Sequence, residues 1–87
     1  MSLPTISLFF GIIISMYAKD HPEPHFHARY QSYKAVYDLD GNRINGDMPR
    51  RQDRLIAAWA EIHQEDLRAN WELAESGVNP VSIDPLR

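Results

Sequence analysis

The stretch Asp20-His21-Pro22-Glu23-Pro24-His25-Phe26-His27 concentrates groups that can hold a metal ion or move a proton. If the chain from His25 onward is a strand, alternation puts His25 and His27 on one face, where two imidazoles can share a cation. Two ligands are an incomplete set, because a catalytic zinc usually takes three from the protein. His21, Glu23 and, from farther along the chain, His63 are the candidates for the third. Asp38 is the expected carboxylate that orients a ligating His25. Zinc, nickel or manganese is the divalent cation such a site would take. The competing reading is a solvated polar sheet face with a His–Asp pair, and the incomplete ligand set favours it.

Two basic features invite an anion. Pro49-Arg50-Arg51 reads as a helix start, where cations oppose the macrodipole by about 0.3–1 kcal/mol each while first-turn amides point at any anion held there. The plainer reading, which is preferred, has both guanidiniums reaching Asp47, Asp53 or solvent. Arg29 and Lys34 are expected to oppose each other across a hairpin, which is unfavourable unless an anion lies between them. Arg43 is expected on that same face, enlarging the patch. Single-stranded nucleic acid would need aromatic platforms there, and the register puts the tyrosines on the other face, so that signal is weak.

These side chains need a sheet and a helix to position them. His25–Tyr30 and Tyr33–Asp38 form a hairpin about Gln31–Ser32 that pairs Tyr30 with Tyr33, Ala28 with Ala35 and Phe26 with Tyr37. Its other face pairs Arg29 with Lys34, His27 with Val36 and His25 with Asp38. Asp40-Gly41 signals a second, two-residue turn that would set Arg43 opposite Asp38 and Ile44 opposite Tyr37. Upstream, Met1 to Ala18 carries no charged side chain, but its β-branched and aromatic residues favour buried sheet over Ile6–Tyr17, with a bend or a bulge at Gly11 between two short strands, rather than a membrane span. No basic residue precedes the apolar run, which argues against a signal peptide. After Pro49 the period becomes helical, and the set Leu55, Trp59, Ile62 is rotated from the set Leu67, Trp71, Ala74 by a quarter turn or more. One long helix must bend, or it breaks near His63–Glu65. The expected fold is α+β: a small antiparallel sheet of three to five strands, followed by one long or broken helix packed on it.

The chain has 87 residues, enough for one domain over 1–87. Its composition, 44% hydrophobic and 24% charged, is that of an ordinary globular protein. Nine Lys and Arg against twelve Asp and Glu leave a net charge of −3, so no whole-surface attraction to nucleic acid or anionic lipid is expected. The absence of cysteine removes disulfides, thiolate metal sites and thiol nucleophiles, and fits a cytoplasmic location. Phosphate-binding glycine loops, nucleophile elbows and His-Glu-x-x-His helices do not occur. Trp59 and Trp71 are first of all core residues. The apolar arc they share with Leu67 is nonetheless wide for so small a chain, so these three are the expected face for a protein partner or a second copy.

Phe10-Gly11-Ile12, Met16-Tyr17, Lys19-Asp20-His21-Pro22-x-Pro24-His25-Phe26-His27-Ala28, Pro49-Arg50-Arg51, Trp59 and Asn70-Trp71-Glu72 follow one another along nearly the whole chain. In this the sequence resembles the bacterial domain-of-unknown-function family four-one-six-zero, and Pro-His-Phe-His-Ala is the most specific block. The resemblance implies a stand-alone bacterial domain, often encoded beside another small protein in an arrangement suggestive of toxin–antitoxin pairs. It implies no established activity and no catalytic residues. This chain differs where relatives carry a basic residue at Ser15 and a glycine near Gln31. Two functions follow as expectations. The preferred one is a cytoplasmic partner-binding protein, one half of a toxin–antitoxin-like pair. The other is a metal-dependent hydrolase or nuclease on His25 and His27, with Arg50 or Arg51 holding phosphate.

Overall fold

The computed structural model describes residues 4–18 and 23–87. Five strands, β1 (Thr5–Phe9), β2 (Ile12–Ser15), β3 (His25–Tyr30), β4 (Tyr33–Asp38) and β5 (Arg43–Gly46), form one antiparallel sheet in chain order. Two helices follow, α1 (Arg50–Ile62) and α2 (Gln64–Glu75). No helix among the described residues is long and apolar enough to cross a membrane.

Period-two alternation builds the sheet's inner face. Ile12, Ile14 and Met16 point inward from β2 and its exit, and Phe26, Ala28, Ala35 and Tyr37 do so from β3 and β4, all buried. Ile56, Trp59 and Leu67 from the helices complete the core. Trp59 is enclosed by aromatic rings, with Phe9 at 5.4 Å and Phe26 at 5.6 Å. The expected long or broken helix is two helices meeting at His63, whose φ of −110° leaves the helical range. That break lets Trp59 from the first stripe and Leu67 and Trp71 from the second face inward despite the rotation, and it leaves Ile62 at the end of α1 exposed.

The apolar arc is spent inside the chain. Trp59 and Leu67 are wholly buried and Trp71 is 5% exposed, so the three residues expected at a protein-contact face belong to the core. The physical reason is the tail after α2, which returns over the helices. Trp59 Nε1 donates to the Asp84 carbonyl (2.8 Å), and Asn70 both donates to the Val81 carbonyl (2.8 Å) and accepts from its amide (2.9 Å). The Ile83 amide donates to the Ile6 carbonyl (2.7 Å), so the tail also covers part of the β1 edge.

The β3–β4 register is the expected one at all six pairs, from His25↔Asp38 to Tyr30↔Tyr33. The turn forms although Gln31 must take a φ of +52°, a left-handed value that glycine adopts more readily. The next turn departs from expectation. Gly41 donates to the Asp38 carbonyl and the Asp38 amide to the Asn42 carbonyl, closing a three-residue loop with Gly41 at φ +91°. The register therefore moves, and Tyr37 pairs with Arg43 instead of Ile44, with an irregularity beside it. Arg43 is carried to the helix side, away from Arg29 and Lys34. There its Nε lies 3.4 Å from Asp53, and its Nη1 donates to the Gly46 carbonyl (2.8 Å). At the start of α1 Pro49 is the N-cap, no side chain caps the helix, and Asp47 accepts from the Met48 amide.

Asp53 also accepts the Tyr37 hydroxyl at 2.7 Å. Burial first, then the hydrogen bond and negative charge of Asp53, push this phenol far above its ordinary value, with Arg43 opposing. Above about pH 10 the unfolded chain's tyrosine loses its proton while the folded one keeps it, so stability present below pH 10 falls as pH rises. Urea midpoints measured from about pH 8 to pH 11 should decline, and a Tyr37→Phe chain should decline less steeply. Equal slopes would show that Tyr37 does not hold its proton in the fold.

Candidate functional site on the open sheet face

The second face of the sheet carries side chains in cross-strand rows. Near the hairpin turns the row is Leu8, Ile13, Arg29 and Lys34; one step further it is Thr5, Ser15, His27, Val36 and Asn45. Together with Tyr17 at the exit of β2, these rows except Leu8 line a groove of about 560 Å³. A volume of this order falls in the range of small-molecule sites. Among the described residues no Asp or Glu lines the groove, although the chain has twelve.

Arg29 and Lys34 oppose each other in register, and both are exposed. Among the described residues neither makes an ion pair; the basic side chains that approach a carboxylate are Arg43 and His63. Cross-strand neighbours stand about 5 Å apart at Cβ, so two like charges project side by side from adjacent strands.

The two strand histidines share a cluster with other rings. His27 stacks on Tyr17 with centroids 4.4 Å apart and planes 6° from parallel. His25 lies 5.1 Å from His27 and 5.1 Å from Trp71, which helps to bury it completely. The Nδ1 of His25 bonds the Glu23 carbonyl at 2.8 Å, the kind of backbone contact that fixes an imidazole's orientation. Asp38 faces His25 in register, but its carboxylate accepts from the Asp40 amide and from the Asn42 amide and side chain. It braces the turn after β4 instead of orienting His25.

The remaining expected site residues lie apart. His63 sits at the helix junction, 3.6 Å from Asp66 and against the Trp59 ring. His21 lies outside the described residues. Among the described residues no three His, Asp or Glu side chains come together as a metal-binding group. Arg50 and Arg51 are exposed at the start of α1 and line no part of the groove. The helix packs on the face carrying Tyr37, so the guanidiniums and the His27 imidazole do not converge.

Tyr17, Ser15, Thr5 and Asn45 are groove residues that the sequence reading did not single out. Alternation held the signal for two of them: if Ile12, Ile14 and Met16 point inward, Ser15 and Tyr17 point outward. Asn45 had no such signal, because the irregular β4–β5 register decides its side.

No curated protein and no solved structure matches the chain. A family model does, over residues 11–72, a span that holds β2 through most of α2 and both opposed cations. With most of its length matched, the chain belongs to the family described as Domain of unknown function (DUF4160).

Proposed function

We propose that the protein is a binding component, one member of a two-protein pair of the toxin–antitoxin kind, and that it docks its partner at the hairpin end of the sheet. The observation that carries this is Phe10. It is 59% exposed and sits at φ +49° in the two-residue turn between β1 and β2, with Gly11 at φ +79°. Such a turn favours Asn-Gly, and a bulky residue with positive φ is an outlier. The chain thus holds a large apolar side chain in water at a backbone cost, and strain of this kind points to use. Leu8 and Tyr33 are also exposed near this end, and the Tyr30 ring approaches Gly11 from the neighbouring hairpin.

Other routes to a partner are narrowed. The helices' tryptophans are internal. At the β5 edge, the Gly46 carbonyl and amide are taken by the Arg43 and Asn45 side chains, which blunts strand addition. The metal-dependent alternative has no third ligand among the described residues, and no observation favours it.

A Phe10→Asn substitution separates docking from folding. Asn suits the left-handed position, so the variant should melt a few degrees higher, a gain of roughly 0.5–1 kcal/mol. The protein encoded beside this chain should co-purify with the parent chain and be lost with Phe10→Asn. Undiminished co-purification would remove the tip from the contact.

A further inference from the structure

We propose that the groove on the open sheet face is a nucleotide site, with the phosphate between Arg29 and Lys34 and the base toward the Tyr17–His27 ring pair. The site is separate from the Phe10 tip, and its test does not depend on a partner protein.

Three observations carry it. First, Arg29 and Lys34 are paired in register, exposed and without an ion pair among the described residues. An anion between them relieves their repulsion, and the planar guanidinium suits a phosphate's paired oxygens. Second, none of the described residues that line the groove is Asp or Glu, although acidic residues outnumber basic ones in the chain. Charge differs between the grooves of the described residues: another, beside Trp71, is lined by Glu23, Asp38, Asp40, Glu72 and Glu75 with Arg68 as its one cation. Third, the row next to the cations, about 7 Å along the strands, carries His27 stacked on Tyr17. Ser15 and Asn45 flank that row with hydrogen-bonding groups of the kind that read a sugar or base edge. Cations beside an aromatic wall are the combination that holds nucleotides through backbone charge and stacking together. An acidic peptide would use the cations and leave the aromatic wall without a role.

The test is a nuclear magnetic resonance titration of the full chain with four probes: uridine 5′-monophosphate, inorganic phosphate, uridine and octauridylate. The nucleotide should shift the amides of Ser15, His27, Arg29 and Lys34, and bind at least tenfold more tightly than phosphate or uridine alone. An Arg29→Ala/Lys34→Ala chain should lose at least tenfold, whereas Arg68→Ala, an exposed cation on α2, should lose nothing. Tighter binding of octauridylate than of the mononucleotide assigns the source to an RNA strand, and equal binding assigns it to the free nucleotide. Phosphate binding as tightly as the nucleotide would overturn the proposal, leaving an anion site only. So would shifts confined to other surfaces, or displacement of the nucleotide by octaglutamate at equal concentration.

Discussion

Replacing Trp59 with alanine is expected to destabilise the protein by roughly 3–5 kcal/mol, the usual range for deleting a buried aromatic. The total stability of a domain this size is roughly 5–10 kcal/mol, so the variant should sit close to unfolding at 37 °C. The site cannot collapse easily. The ring is held between Phe9, Phe26 and His63, and its indole nitrogen anchors the Asp84 carbonyl. Losing it opens a cavity and also releases the tail that covers α1. A Trp59→Phe chain keeps most of the packing and loses the hydrogen bond, so it should fall by roughly 1–2 kcal/mol. Urea denaturation of the three proteins gives both numbers. An alanine variant within about 1 kcal/mol of the parent would mean that Trp59 is not central to the core.

Gly46→Ala should cost about 3 kcal/mol and detach β5 from the sheet. Gly46 has a φ of +82°, which a side chain resists by about 1–2 kcal/mol. An added Cβ would also sit against the Lys34 carbonyl oxygen and 2.7 Å from Ala35 Cα. Both are backbone atoms of β4 and cannot turn aside, which adds overpacking of about 1–3 kcal/mol. Gly77 supplies the comparison, because its φ of +77° is similar and nothing lies within 4 Å of its Cβ position. Gly77→Ala should therefore show the backbone part alone. Hydrogen exchange should quicken at the Asp47 amide, which bonds the Lys34 carbonyl, in the Gly46 variant only. Equal effects at both glycines would remove the steric contribution.

The hairpin of β3 and β4 was legible because two constraints agreed. Alternation sorted Phe26, Ala28, Ala35 and Tyr37 from His25, His27, Arg29 and Lys34, and a two-residue loop left a single register in which they matched. The Arg29–Lys34 pair could be named on those grounds. The β4–β5 connection was not legible, since Asp40-Gly41 suits a two-residue turn and a three-residue loop equally well. In the longer loop the Asp38 carboxylate accepts from three donors, which holds that choice in place. That choice moved Arg43 from one face of the sheet to the other.

By itself the sequence determined the sheet-then-helix order, the inner and outer residues of the central strands, and the pairing of two cations on one face. These are local consequences of side-chain period and turn length, which act over a few residues. The tryptophans are core residues, as their helical spacing implies, but tertiary structure alone decided what covers them, that β5 carries Asn45 into the groove, and that Arg50 and Arg51 stand away from His27. Each of those outcomes depends on segments far apart in the chain: the tail reaching Asn70 and Trp59, and the helix taking one face of the sheet instead of the other. Hydrophobic periodicity says that a stripe will be buried, but it does not say against what.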